Sequence, residues 1–394
     1  MNPTLSDRSN AVQPSVTMAV NARATQLRRE GKDIINLSVG EPDFDTPDFI
    51  KATAIKAIQD GFTKYTATDG IPDLKTAIIN KLQRDNQLTY TSNEITVSNG
   101  VKHGLYNLCQ ALLNPGDEVI IPAPYWVSYP AMVELASATS VYITANHQQN
   151  FKITAQQLAA AITPKTKMFI LNSPNNPSGK AYSREELKTL AEVLKKHPQV
   201  IIATDDMYEY ILWSMKHFCN ILTACPELRN RTIVFNGVSK AYAMTGWRIG
   251  YAAGPVDIID AMNTIQSQNS GSCNSIAQKA AVTALNTDRA QLQFMFNAFK
   301  TRHDQLLRDL KNIPGIEVGP ADGTFYLFPN VEKAIKKLGL KDDVEFATYL
   351  LDHAQVATVP GTGFGMPGYI RFSYAVSHEA LSKAANRIAK ALQK

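Results

Sequence analysis

The sequence predicts an α/β protein: a large unit with a mostly parallel, mixed sheet sandwiched by helices, plus a smaller α+β unit. Three observations predict this. Strand-like and helix-like segments alternate from about residue 94 to residue 236. The strands Lys167–Leu171, Val200–Thr204 and Thr232–Asn236 show no polar alternation, as expected of parallel strands covered by helices on both faces. After Gly254-Pro255 the pattern shifts to long helices and short strands. A chain of 394 residues also exceeds what one compact core holds. We divide it into 1–48, an N-terminal arm with part of the small domain, 49–290, the large domain, and 291–394, the small C-terminal domain.

The elements follow in order. Residues 1–30 are polar and irregular, with Gln13–Thr17 extended ahead of a helical stretch that ends near Gly31. Ile34–Val39 reads as a strand running into the turn Gly40-Glu41-Pro42-Asp43. Thr46-Pro47 predicts an N-cap with proline at the first helical position, opening a helix over Phe49–Asp60. A second proline-started helix covers Pro72–Arg84, and Lys64-Tyr65-Thr66 lie in the exposed loop between. Strands at Glu94–Ser98, Glu118–Pro122 and Ser140–Thr144 alternate with helices at Val101–Leu113 and Tyr129–Ala138. Ser183 with Glu186 forms a capping box ahead of the apolar stripe Leu187, Leu190, Ala191 and Leu194. Residues 256–312 are mostly helical, with a long run over Asp288–Leu310. Short strands at Ile316–Val318, Gly323–Phe328, Val356–Val359 and Tyr369–Tyr374, a helix at Val344–His353 and a terminal helix complete the chain.

Composition excludes several function classes. Apolar content of 44% with 19% charged residues is that of a soluble globular protein. A net charge of +5 without a Lys/Arg run gives no nucleic-acid or membrane footprint. Cys109, Cys219, Cys225 and Cys273 lack both C-x-x-C and His-spaced pairing, which suits buried thiols in a reducing compartment and no metal site. The N-terminus has no basic region followed by an apolar core, and no apolar run approaches 18 residues, so a cytoplasmic location is expected.

Chemistry is expected where the parallel strands end, since ligands of such sheets bind beyond their carboxyl edges. Lys240 follows the strand Thr232–Asn236 among the small residues Gly237, Ser239 and Ala241, with Arg248 eight residues on. An amine so placed has room for something flat beside it, and burial with cationic neighbours lowers its pKa toward that of a Schiff-base nucleophile. Asn99-Gly100-Val101-Lys102 follows another strand and opens a helix, whose free N–H groups suit a phosphate. Asn176 follows a third strand, and Asp205 and Tyr208 follow a fourth.

Each residue alone has a plainer reading. Gly100 eases a turn, Asn176-Pro177 is an ordinary turn pair, Asp205 is a helix cap, Tyr208 and Trp126 are packing, and Lys240 is a surface lysine. Their convergence on one sheet edge favours chemistry, and the set matches a phosphorylated pyridine aldehyde. Asp205 would keep a pyridine nitrogen protonated, Asn176 and Tyr208 would donate to a phenolic oxygen, and Lys240 would form the imine. The amides of Gly100, Val101 and Lys102, with Ser239 and Arg248, would neutralise the phosphate. Trp126 would stack on the ring, and Arg371, in Tyr369–Tyr374, would clamp a substrate α-carboxylate.

G-V-S-K-A-Y-A-M-T-G-W-R-I-G at 237–250 resembles the lysine motif of the class I aminotransferases, which depend on pyridoxal 5'-phosphate. V-G-E-P-D-F-D-T-P at 39–47, P-Y-W-V-S-Y at 124–129, N-S-P-N-N-P-S-G at 172–179, D-D-M-Y at 205–208 and I-R-F-S-Y at 370–374 match in order. The similarity spans nearly the whole chain and is greatest to the bacterial aspartate aminotransferase branch of fold type I. It implies transfer of the amino group of aspartate to 2-oxoglutarate, small-molecule amino acids and 2-oxo acids as partners, and a homodimer with shared active sites. Tyr65 would then reach the partner's phosphate. Gly40 would touch the substrate carboxylate through its backbone, and Trp126 and Asn176 would also face substrate. In this branch Lys102 would read the distal carboxylate, with Ser15 and Thr17 in the segment that closes over the site. Two positions depart from the family pattern: Asp206 stands where glutamate is usual, and Gly237 where many members have serine, removing one phosphate hydroxyl.

The same scaffold supports aromatic, prephenate or kynurenine transamination and C–S lyase chemistry. Gln13 supplies no cation for a bulkier second carboxylate, which counts against prephenate. A non-catalytic sensor would carry an N-terminal DNA-binding module, and only about thirty residues without a basic recognition helix precede the first strand. Nucleotide-binding motifs fail as well. Gly361–Gly365 runs into Met-Pro, and Ser178-Gly179-Lys180-Ala181 lacks both the earlier glycine and the following Ser/Thr of a phosphate loop.

Overall fold

The computed structural model describes residues 4–393. Its framework is a seven-stranded sheet made of β2 (Ile95–Ser98), β3 (Glu118–Ala123), β4 (Thr139–Thr144), β5 (Thr166–Asn172), β6 (Ile201–Asp205), β7 (Thr232–Gly237) and β8 (Gly250–Ala253), in the order β2-β8-β7-β6-β5-β3-β4. Only β8 runs against its neighbours. The other six therefore point their carboxyl ends to one edge. The adjacent inner strands β5, β6, β7 and β8 are almost wholly buried, which is why the first three read as continuous apolar runs. Register places Asn172 beside Asp205 and Asp205 beside Phe235, so the loops after β5, β6 and β7 leave the sheet side by side.

The helices follow their sequence signals. Ser183 Oγ accepts from the amide of Glu186, and the Glu186 carboxylate accepts from the amide of Ser183, which closes the box ahead of helix Arg184–Lys195. Helix Pro72–Asn86 starts on its proline. At Asp48–Gln59 the expected cap is different: Pro47 takes the cap position, and the Thr46 hydroxyl donates instead to Ala243 O at 2.6 Å while accepting from Trp247 Nε1 at 2.9 Å. Thr46 thus fastens the segment after Gly40 to the loop that carries Lys240.

The remaining strands are short. β1 (Ile35–Asn36) pairs in parallel with β10 (Val356–Ala357), and β9 (Tyr326–Leu327) pairs with β12 (Ile370–Ser373), which pairs with β11 (Val359–Pro360). The expected strands Ile34–Val39 and Gly323–Phe328 shrink to two residues each, and Ile316–Val318 to a single bridge at Glu317. The run expected from Asp288 begins with a 3-10 turn, so the long helix is Gln293–Lys311. Near the N-terminus, Gln13–Thr17 is only partly extended, because the helix Val16–Arg29 starts inside it. Val16 packs against the apolar cluster of Phe328, Val359, Phe364, Met366 and Tyr369, which fixes the start of that helix. No helix among the described residues is long and apolar enough to cross a membrane.

Candidate active site

The carboxyl edge of the sheet opens into a cavity of about 360 Å³, within the range of small-molecule sites. Its wall contains Val101, Lys102, Trp126, Asn176, Asp205, Tyr208, Ser239, Lys240 and Arg248 from the sheet loops. Gly40, Arg371, Ser15 and Thr17 close it from the other side. Nearly every residue singled out by sequence is therefore brought together. Gly100 lies behind the wall and Tyr65 is outside it, fully exposed on this chain.

Lys240 Nζ donates to Gly40 O, so its amine is already turned into the cavity. Burial is the main cause that brings its pKa down to about 8, and Arg371 and Arg248 push the same way against the opposing pull of Glu41 and Asp205. Asp205 is buried at the floor. Its carboxylate accepts from the Tyr129 hydroxyl at 2.6 Å and from the Met207 amide at 3.2 Å, yet burial outweighs both bonds and raises its pKa. A buried acid with a raised pKa is one that lacks a cation, and a protonated ring nitrogen is a group that would supply it.

Arg371 is buried, and both terminal nitrogens are engaged: one donates to Asn176 Oδ1 at 2.9 Å and the other to Ser38 O at 2.7 Å. Its Nε has no partner among the described residues. The guanidinium also rests 4.5 Å from the centre of the Tyr326 ring. With its carbonyl committed to Arg371, Asn176 keeps its NH₂ for the cavity. The Tyr208 hydroxyl meets the Tyr326 hydroxyl at 2.9 Å.

The phosphate-type corner is built from close backbone. A Cβ on Gly100 would run into the Arg248 guanidinium, and one on Gly250 into the amide of Val101. Both glycines are thus required for Arg248 and the start of helix Val101–Leu112 to share this corner. Arg248 holds a positive φ of 56° and donates to Asn99 O at 3.2 Å and Thr245 O at 3.1 Å, which aims it across the turn. Lys102 stands exposed at the mouth with its amine 5.2 Å from the centre of the Trp126 ring, and partial burial together with Arg248 lowers its pKa. Trp126 meets Tyr129 edge-on at 5.4 Å. Thr17 Oγ1 is buried without a partner among the described residues.

The two departures from the family pattern have local causes. A Cβ at Gly237 would lie 2.8 Å from Ile249 O and 3.0 Å from Gly250 Cα, so this backbone leaves no space for serine. Asp206 turns away from the cavity to accept from Thr204 at 2.7 Å and from Asn220, and burial raises its carboxyl to about 8. Among the wall residues that the sequence does not single out are Tyr129, within the P-Y-W-V-S-Y motif at an expected helix start, and Tyr326, within an expected short strand; their hydroxyls meet Asp205 and Tyr208 only once the chain is folded.

Comparison with known proteins gives the family. A family model described as aminotransferase class I and II matches residues 32–388. The chain is 52% identical to an aspartate/prephenate aminotransferase of Nitrosomonas europaea, over 98% of this chain and 99% of the relative. It is 47% identical to an aspartate aminotransferase of Bacillus sp. strain YM-2, over 98% and 99%. Among solved structures, the aspartate aminotransferase of Rhizobium meliloti superposes with a TM-score of 0.95 at 44% identity, covering 100% of this chain and 99% of that one. The Thermus thermophilus aspartate aminotransferase with maleate gives 0.94 at 41% identity, covering 99% and 100%.

Proposed function

Because this chain belongs to the class I and II aminotransferase family, we propose that it moves the amino group of aspartate to 2-oxoglutarate, forming oxaloacetate and glutamate by a ping-pong exchange. It is a pyridoxal 5'-phosphate-dependent enzyme of fold type I. The observation that carries the reading is one cavity holding an amine of lowered pKa, a buried acid in need of a cation and a buried arginine with an unpaired Nε. When bound, pyridoxal phosphate supplies an electron sink for the charge left on the substrate α-carbon.

The chain's own residues supply the rest. Asp205 would hold the proton on the ring nitrogen, and the Tyr129 hydroxyl fixes that carboxylate in place and opposes its neutralisation by burial. Asn176 and Tyr208 donate to the phenolic oxygen, and Trp126 covers the ring. The amides of Val101 and Lys102, with Ser239 and Arg248, would hold the phosphate, whereas the expected Gly100 amide is already given to Ser98 O at 2.7 Å. Arg371 binds the substrate α-carboxylate, assisted by the backbone of Gly40, and Lys240 as the free amine removes the α-proton. Lys102, with Ser15 and Thr17, reads the distal carboxylate.

Tyr65 reaches the phosphate of a second copy in a homodimer with shared sites, which its complete exposure on one chain supports. The four unpaired cysteines suit a cytoplasmic enzyme. Residues 49–290 act as the cofactor-binding domain, and 291–394 with part of 1–48 as the smaller one.

A second reading, prephenate as a further substrate, is favoured by the name of the Nitrosomonas relative. Gln13 is exposed and outside the cavity wall, so its lack of charge no longer counts against that substrate. A substrate panel on wild type and Lys102→Ala tests the distal-carboxylate assignment. Loss of about 10- to 100-fold in kcat/KM confined to dicarboxylic substrates is expected from removing one charged hydrogen bond. Uniform loss over all substrates would assign Lys102 to the phosphate instead.

A further inference from the structure

We propose that the chain carries a second small-molecule site, for an organic monoanion with an aromatic or similarly flat apolar body, in the crevice between Lys180 and the Phe151–Phe328 pair. The crevice encloses about 290 Å³ and shares no lining residue with the first cavity. Its apolar side is formed by Phe151 and Phe328, whose rings stand 5.7 Å apart at 61°, together with Val318 and Pro320. Such a wall takes a flat apolar group.

The charge that faces it is Lys180. Only 12% of that side chain is exposed, and its amine makes no hydrogen bond among the described residues. The nearest carboxylate oxygen, on Asp322, is 4.0 Å away, and the other oxygen of that group accepts from the Ala181 amide at 3.0 Å. Glu317, the acid on the crevice wall, is already paired with Lys333, and His147 lies 3.9 Å from it. Lys180 is thus a crevice cation whose nearest carboxylate forms only a long 4.0 Å pair and whose amine has no hydrogen-bond acceptor among the described residues. An anion entering the crevice would accept from that amine while its body covers the phenylalanine rings. This also gives a use to the lysine of Ser178-Gly179-Lys180-Ala181, which no phosphate loop claims.

The crevice and the first cavity share one turn. Asn175 N donates to Lys180 O, and Gly179 N donates to Asn175 O, both at 2.8 Å. Ser178 Oγ donates to Asn175 Oδ1 at 2.7 Å. Asn176, within the same turn, faces the other way and accepts from Arg371.

The test is calorimetric titration of 3-phenylpropionate into the cofactor-loaded protein, in wild type, Lys180→Met and Gly319→Trp. Gly319 is on the crevice wall and a Cβ there meets nothing within 4 Å, so a tryptophan adds bulk at the crevice without a backbone clash, and this variant decides the matter should Lys180→Met not fold. The expected result is a binding event in wild type that weakens about ten-fold or more in the variants, the scale of one charged hydrogen bond. Absence of binding to wild type, or binding that the variants retain unchanged because the probe sits in the Arg371 cavity, would overturn the proposal.

Discussion

Lys240 and Asp205 share one cavity, and burial moves both toward their neutral forms: the amine falls to about 8 and the carboxyl rises. For a base whose pKa is lowered to about 8, the reactive free amine is half populated near pH 8 and nearly complete about one pH unit above. In cofactor-free protein, the rate at which Lys240 captures pyridoxal phosphate should therefore rise with its midpoint near pH 8 and level off about one unit above it, as stopped-flow absorbance would show. A profile still rising steeply toward pH 10 would mean an unperturbed lysine. Tyr326 gives a second residue-scale expectation. Its hydroxyl is the partner of Tyr208 and its ring lies under Arg371, so Tyr326→Phe should lower kcat about five-fold, the value of one neutral hydrogen bond, and shift the pH at which the bound cofactor changes colour. An unchanged spectral titration would show the hydroxyl to be mere packing. Lys240, Asp205, Tyr208 and Asn176 were legible in sequence because each follows a strand whose apolar run announces itself. Tyr326 and Tyr129 were not, since a hydroxyl that meets a partner 118 or 76 residues away leaves no local pattern.

Among the elements, the meeting of β2, β8 and helix Val101–Leu112 is the tightest. Ser98, Gly250 and Gly237 lie in one register across β2, β8 and β7, and the backbone around Gly250 is close enough to exclude any side chain. Gly250→Ala should lower stability by about 1–3 kcal/mol through overpacking and weaken cofactor binding, measured by denaturant unfolding and fluorescence titration. Stability loss without weaker cofactor binding would remove this corner from the phosphate site. Strand β8 itself was not legible: Gly-Tyr-Ala-Ala is four residues long, and only its pairing between two other strands makes it a strand. The short strands near the C-terminus shrank for the same reason. The capping box at Ser183 was legible because its two bonds lie within four residues, whereas Thr46, which resembles a cap, is drawn to partners about 200 residues away.

For the whole molecule, alternating apolar segments were enough to indicate a helix-covered sheet with its site at the carboxyl edge, because burial on both faces dictates that pattern. What one chain leaves open is the role of Tyr65, 100% exposed and outside its own cavity. If it completes the site of a second copy, Tyr65→Ala and Lys240→Ala chains, each nearly inactive, should regain about a quarter of wild-type activity when unfolded together and refolded, since half of the random dimers then carry one intact site. No recovery would place Tyr65 outside the partner's site. The central claim is the bond between the Lys240 amine and the cofactor. Purified protein loaded with pyridoxal phosphate, reduced with borohydride and digested should yield one modified peptide by mass spectrometry, labelled at Lys240. A label on another lysine, or no label, would contradict it.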